Sequence, residues 1–170
     1  MAKRISLREF QQSLVERLTS ARRGETSRAL LGVQAGREYW LLDLADSGEV
    51  VPLPTLTPVP LTSSWFSGIA NIRGTLYSVI DFSAFQGGEP IVPASDNRLL
   101  LVGSRFGINS ALLVSRALGL KNPDELEVQA REPDARPWVG EQFADPQGRT
   151  WKMLRLRNLL AQPQFLEIGV

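Results

Sequence analysis

Near the amino terminus, apolar side chains recur at spacings of three and four residues. The positions concerned are Leu7, Phe10, Leu14, Leu18 and Ala21. This spacing places them on one face of an α-helix. Ser6 and Glu9 form a capping-box signature, and Gly24 follows as a stop signal. The pattern therefore predicts an amphipathic helix over residues 6–22. Because its apolar stripe is one-sided, we expect this helix to dock on the rest of the chain or to contact a partner.

From residue 28 onward, the helical spacing gives way to short apolar runs that are typical of strands. The first such block predicts a hairpin that turns at Gly36 and Arg37, and a later block repeats the same plan. Many short strands at close spacing are typical of an all-β, barrel-like body. The predicted hairpins and strands cover residues 29–44, 75–82, 98–114 and 150–156.

Proline and glycine mark the connections between these strands. Residues 52–60 hold four prolines, which cannot donate to a β-ladder and so predict an extended connector. Residues 131–149 hold three prolines and two glycines and predict a loop. A short helical turn at Leu159 and Leu160 is expected before Pro163. The chain thus divides into a helix and linker at residues 1–27 and a β body at residues 28–170.

Composition narrows the possible chemistry. The chain has 170 residues, of which 43% are hydrophobic and 22% are charged, which suits a folded domain rather than a disordered segment. It has no cysteine and no histidine, which excludes thiol nucleophiles, disulfides, zinc fingers and Ser-His-Asp triads. No phosphate-binding glycine loop or nucleophile elbow occurs. We therefore expect no metal site and no enzymatic activity; an enzyme that works with carboxylates alone is the least favoured hypothesis.

Charge is unevenly distributed along the chain. The whole chain has a net charge of +1, but residues 1–31 hold seven basic and three acidic groups. The rest of the chain is slightly acidic. No apolar run approaches the roughly 20 residues that a membrane-spanning helix needs. Charges at Arg8, Glu9, Glu16 and Arg17 interrupt any candidate signal sequence. The expectation is a soluble cytoplasmic protein that does not insert into membranes.

One segment, residues 68–82, has a distinctive pattern. Gly68 and Gly74 bracket Asn71 and Arg73 at the start of a predicted strand. Glycine permits tight backbone curvature and asparagine suits a turn. The segment is interpreted either as a β-bulge with a hydrogen-bonded arginine or as a barrel corner that shapes a binding surface.

This segment resembles the signature of the CheW-like domain family, Gly-x-x-Asn-Leu-Arg-Gly-x-x-x-Pro-Val-Ile-Asp-Leu. Ser78 replaces the usual proline, and Phe82 replaces the final leucine. Outside the signature, Ser115 and Arg116 stand where the family commonly has Asp-Gly, and Arg155 stands where a helix-capping Asn or Asp is usual. The resemblance extends over residues 28–161, including both predicted hairpins and the closing strand.

The resemblance implies a mainly β fold of two five-stranded SH3-like barrels that share a core, with an N-terminal helix and a short C-terminal helix. It implies a non-enzymatic adaptor without a cofactor. Its partners would be the cytoplasmic tip of a methyl-accepting chemoreceptor and the regulatory domain of a chemotaxis-type histidine kinase. The basic N-terminal helix makes the chain most similar to the adaptors of type IV pilus twitching motility, which are recruited to receptor arrays at the membrane.

The resemblance also implies which residues bind partners. Arg73 would pair with Glu49 and hold a loop that lines the partner groove, and the residues around Arg73 would shape the same corner. Two leucines align with apolar positions of the receptor groove. The full set of predicted partner-binding residues is Glu49, Gly68, Asn71, Ile72, Arg73, Gly74, Leu99 and Leu120.

A second hypothesis is a small barrel that binds RNA or single-stranded nucleic acid. It depends on the basic cluster formed by Arg149, Lys152, Arg155 and Arg157. Exposed aromatic rings at Trp138 and Trp151 would provide the stacking surface that such binding uses. The near-zero net charge argues against this hypothesis.

Overall fold

A computed structural model describes residues 8, 11–12, 29–130 and 133–169 of the chain. Arg8, Gln11 and Gln12 are helical and exposed. The remainder of the predicted helix over residues 6–22 lies outside the described residues, and the division at residue 27 stays a prediction. Within the described residues, no helix is long and apolar enough to cross a membrane.

Eleven strands and three short helices lie within residues 29–130 and 133–169. Single 3-10 turns follow β6 and β8. The strands are β1 (Leu30–Ala35), β2 (Glu38–Asp43), β3 (Ser47–Pro52), β4 (Phe66–Ile72), β5 (Thr75–Asp81), β6 (Arg98–Val102), β7 (Ser110–Val114), β8 (Arg116–Lys121), β9 (Glu127–Gln129), β10 (Val139–Ala144) and β11 (Thr150–Leu154). The helices are α1 (Phe82–Phe85), α2 (Leu156–Leu160) and α3 (Pro163–Leu166).

These strands form two sheets. The first sheet has the order β8-β1-β2-β11-β10-β9, and the second has the order β3-β6-β7-β5-β4. The second sheet comes from one continuous stretch of chain, whereas the first combines the opening hairpin with everything after β7. Only Ser115 separates β7 from β8, so the chain crosses between sheets there. The prediction of a mainly β fold is confirmed, and β9 gives the first sheet six strands rather than five.

Three apolar clusters explain why the strands carry almost continuous apolar runs. Successive side chains of a strand point to opposite faces. In β6, Leu99 and Leu101 face a cluster inside the second sheet, while Leu100 faces a larger cluster between the sheets. In β2, Trp40 faces the shared cluster, while Leu41 faces a third cluster inside the first sheet. Each sheet therefore curls around its own interior, and the two barrels share a core.

The predicted hairpins at residues 29–44 and 98–114 are both present as antiparallel pairs. The prediction of a loop over residues 131–149 was wrong at β10. This strand pairs with β9 and β11 and buries the side chain of Phe143 only partly. Its mixed, half-buried sequence lacks the alternation by which strands are recognised. The short C-terminal helix is confirmed as α2, and Arg155 at its N-cap provides no side-chain hydrogen bond.

Aromatic packing attaches the C-terminal helices to the junction of the two sheets. Phe165 of α3 lies 5.7 Å from Phe85 of α1, measured between ring centroids. Phe85 also contacts Trp65 at 5.0 Å and Trp138 at 5.6 Å. The chain after α3 then pairs with the connector before β4, because Ser63 N–H donates to Ile168 O at 2.7 Å. The carboxyl end of the chain therefore bridges the two barrels.

Candidate docking site at the Glu49–Arg73 corner

The site begins with the two-residue turn between β4 and β5. Arg73 has φ +50° and Gly74 has φ +86°, the signs that a type I′ hairpin turn requires at both positions. Positive φ is uncommon for a residue other than glycine. Asn71 supports the turn, since its Oδ1 accepts the Gly74 N–H at 2.9 Å. The turn fixes the direction in which the Arg73 side chain leaves the sheet.

Arg73 reaches across to Glu49 on β3. The contact is bidentate: Nη1 donates to Oε1 at 3.1 Å, and Nη2 donates to Oε2. β3 is one edge of the second sheet, and the β4–β5 hairpin lies at the other edge. The ion pair therefore joins the two ends of the curled sheet. We call Glu49, Asn71, Ile72, Arg73 and Gly74 the Glu49–Arg73 corner.

Both partners of this ion pair face solvent. The side chain of Arg73 is 69% exposed and that of Glu49 is 51% exposed. The hydrogen bonds from Arg73 lower the pKa of the Glu49 carboxyl, and the same contact raises the pKa of Arg73. An exposed pair of this kind contributes little to stability. Its effect is to hold two charged groups in a fixed geometry at the protein surface.

A shallow depression of about 380 Å³ lies beside the Glu49–Arg73 corner. Its walls combine Glu49 and Arg73 with Tyr77 and with parts of β6 and of the loop before β7. Ile108, which is half-buried, adds apolar surface. A concave surface with a charged edge and an apolar wall is suited to docking a protein segment.

Gly68 and Ile72 shape the corner from inside. Gly68 has φ +131°, and a Cβ there would lie 2.5 Å from the Thr57 carbonyl oxygen. The close approach allows the connector to pair with β4 through Thr57 and Ile69. Ile72 is half-buried and packs against the cluster inside the second barrel. These residues fix the backbone of the corner rather than offering side chains to a partner.

The two predicted leucines lie elsewhere. Leu99 has no exposed surface and belongs to the interior of the second barrel. Its assignment as a contact residue of the receptor groove was wrong, because a partner cannot reach it without opening the barrel. Leu120 is 64% exposed on β8, an edge strand of the first sheet. It is accessible but is not part of the Glu49–Arg73 corner.

The aromatic rings required by the nucleic-acid hypothesis are buried. Trp138 is 7% exposed and Trp151 is 1% exposed. Trp151 Nε1 donates to Asp145 Oδ2 at 3.0 Å, and Lys152 is paired with Glu38. The prediction of an exposed stacking surface at these tryptophans was wrong, which removes the structural basis for base stacking there.

A second charged cluster was not found from the sequence. Arg136, in the loop before β10, uses all five of its N–H donors. It binds both oxygens of Glu38 at 2.8 and 2.9 Å, both oxygens of Asp134 at 2.9 Å, and Gln86 Oε1 at 2.8 Å. Lys152 of β11 also pairs with Glu38. We call these five residues the Arg136 cluster.

The Arg136 cluster joins the two barrels. Glu38 and Lys152 belong to the first sheet, whereas Gln86 caps α1, which follows β5 of the second sheet. Hydrogen bonds from Arg136 lower the pKa of the Glu38 carboxyl and of Asp134, and the pKa of Arg136 is raised by the same two partners. No spacing in the sequence links Arg136 to Glu38, because 98 positions separate them.

Comparisons with known proteins identify a family and a similar fold. The sequence model of the CheW-like domain family matches residues 29–164. The chain is 28% identical over 144 residues to protein PilI of Pseudomonas aeruginosa, which covers 82% of this chain and 79% of PilI. The crystal structure of the scaffolding protein TtCheW from Thermoanaerobacter tengcongensis superposes with a TM-score of 0.67 at 21% identity, covering 82% of this chain and 96% of TtCheW. This last likeness concerns the fold.

Proposed function

The chain belongs to the CheW-like domain family, and on that premise we propose that it is a non-enzymatic adaptor of bacterial chemosensory signalling. It couples the cytoplasmic tip of a methyl-accepting chemoreceptor to the regulatory domain of a chemotaxis-type histidine kinase. The similarity to PilI over most of the chain supports an output through type IV pilus twitching motility. The protein acts in the cytoplasm at membrane-associated receptor arrays.

The observation that carries this proposal is the Glu49–Arg73 pair. A bidentate ion pair with more than half of each side chain exposed is poorly explained by stability alone. Its two ends are held by a type I′ turn and by an edge strand, so the charges are already oriented before a partner arrives. Such preorganisation reduces the entropy that binding costs. A fixed charged corner beside a concave wall is a docking surface.

The residues of this surface have different roles. Arg73 and Glu49 present charge to the partner, and Asn71 and Gly74 hold the turn in place. Leu120, on the first barrel, offers an exposed apolar contact to the second partner. An adaptor must bind two proteins at once, and these two positions lie on different sheets.

The test is a binding measurement with both purified partners. Arg73→Ala is expected to weaken binding of the receptor tip or of the kinase regulatory domain by about tenfold, the effect of losing about 1.4 kcal/mol. Isothermal titration calorimetry with each partner gives the affinity. A thermal melt of the same variant checks that it remains folded.

Arg37→Ala is the matched control. Arg37 is also an exposed arginine in a two-residue hairpin turn, between β1 and β2, and lies outside the Glu49–Arg73 corner. Its loss is expected to leave both affinities unchanged. The double variant Glu49→Arg with Arg73→Glu exchanges the two charges. It tests whether the partner requires only an ion pair at this corner or specifically requires arginine at position 73. If Arg73→Ala binds both partners as tightly as the unaltered protein, the docking role of the corner is refuted.

A further inference from the structure

A second depression lies beside β10, β11 and α2. Its volume is about 470 Å³. We call it the β11 depression. Its apolar floor is formed by Leu30, Phe143, Met153, Leu154 and Leu156. Its rim carries the charged side chains of Asp43, Asp46, Glu141, Arg155 and Arg157. An apolar floor within a charged rim is a suitable surface for one face of an amphipathic helix.

The chain itself leads to this depression. Leu30, the first residue of β1, is part of the floor, and it follows directly on the N-terminal segment. Ala29 is held beside the end of β2, because its carbonyl oxygen accepts the Leu44 N–H at 3.2 Å. The N-terminal segment therefore joins the described fold at the edge of the β11 depression.

The length of the N-terminal segment is adequate for a return to this surface. The predicted helix ends at residue 22, and the six residues 23–28 can span about 20 Å when extended. A helix over residues 6–22 would be about 25 Å long. A short linker of this kind gives the helix a high effective concentration at the depression.

The N-terminal segment also matches the β11 depression in its charges and in its apolar pattern. The stripe of Leu7, Phe10 and Leu14 provides large apolar side chains for the floor. Residues 6–22 hold three basic groups and two acidic ones. The rim holds three carboxylates, of which Asp46 already pairs with Arg105. The two rim arginines in turn can meet the acidic Glu9 and Glu16 of the N-terminal segment.

We propose that residues 6–22 form a helix that docks, apolar stripe inward, on the β11 depression of the same molecule. The occupant is thus this chain's own N-terminal segment rather than a partner or a second copy. The inference goes beyond the adaptor function and does not depend on it, because the test below contains neither the receptor nor the kinase.

The absence of cysteine makes a site-specific spin label straightforward. A nitroxide attached to Glu141→Cys, on the rim, is expected to broaden the amide signals of residues 7–18 in the nuclear magnetic resonance spectrum of the full chain. The matched label at Val92→Cys sits on an exposed loop of the second barrel, outside the β11 depression, and is expected to leave those signals intact. Adding Leu14→Glu to the rim-labelled protein should restore them, whereas Gln12→Glu, at an exposed position, should not.

Three results would overturn the proposal. The first is a full set of sharp signals from residues 7–18 with the rim label. The second is equal broadening from both labels. The third is broadening in a mixture of spin-labelled protein that carries no isotope and isotope-enriched protein that carries no spin label. That result would show that the depression binds the N-terminal segment of a second copy.

Discussion

Replacing Arg136 by methionine is expected to destabilise the protein strongly. Methionine provides a long unbranched side chain at this position, but the variant loses five hydrogen bonds to Glu38, Asp134 and Gln86. Breaking a buried ion pair costs about 3–5 kcal/mol. In this cluster the charged side chains retain 19–31% of their exposure, and Lys152 stays beside both carboxylates. The lower end of that range therefore applies, about 3 kcal/mol.

This loss depends on pH in a defined direction. Arg136 lowers the pKa of both Glu38 and Asp134 in the folded protein. A carboxyl whose pKa is lowered by folding stabilises the protein above its unfolded pKa, about 4 for these groups. That contribution is lost as the pH falls through the lower folded values. The difference in unfolding free energy between the two proteins should be constant from pH 7 to about pH 5 and should shrink below about pH 4.

Urea unfolding followed by tryptophan fluorescence measures the loss of unfolding free energy, and a thermal melt measures Tm. Trp40 lies beside the Arg136 guanidinium, and Trp138 donates to the same Gln86 Oε1 as Arg136 does. At 2–4 °C per kcal/mol, the expected fall in Tm is about 6–12 °C. Arg37→Met, at an exposed turn, controls for the change of residue type and should leave Tm within about 2 °C. A loss below about 1 kcal/mol for Arg136→Met, or one that does not vary between pH 7 and pH 3, would refute the reasoning about this cluster.

Two further predictions concern backbone and core. Gly68→Ala is expected to cost about 2 kcal/mol or more, because its Cβ would meet the Thr57 carbonyl at a φ of +131°; a chemical unfolding curve that matches the unaltered protein would contradict this. Leu99→Ala is expected to cost about 2–5 kcal/mol as a core truncation, whereas Leu120→Ala, at a 64% exposed position, should change stability by no more than about 0.5 kcal/mol. Equal losses from the two leucines in the same assay would show that their burial has been misjudged.

The strands that are buried on both faces were the easiest to predict from the sequence. β2, β6 and β7 face apolar clusters on both sides, so their sequences are continuous apolar runs that can be recognised locally. β8 and β10 are half-exposed and carry mixed residues. β8 is a strand because β1, far away along the chain, pairs with it, and local sequence does not record such pairing. β10 pairs with its sequence neighbours β9 and β11, but its mixed residues give no apolar run or alternation to recognise.

Some features of the candidate site could likewise be predicted from the local sequence, and others could not. The turn at Arg73 and Gly74 is visible locally, since glycine and asparagine are typical of positions that need positive φ. The partner Glu49 was placed by family resemblance rather than by spacing, and the pair is present. The Arg136 cluster has neither kind of signal, because it assembles from four separate stretches of chain. Leu99 was misassigned because the local sequence does not show that both faces of β6 are buried.

The first sheet combines strands from two separate parts of the chain, which has a consequence for synthesis on the ribosome. β11 lies parallel to β2 and pairs Trp151 with Tyr39, so this barrel uses segments from near the start and the end of the described chain. The second barrel uses only the stretch from Ser47 to Val114. During translation, the second barrel can therefore fold while the β1–β2 hairpin still lacks its partner strand β11. Until then, Leu41, which packs with Trp151 of β11 in the finished barrel, is exposed to other molecules that the nascent chain meets.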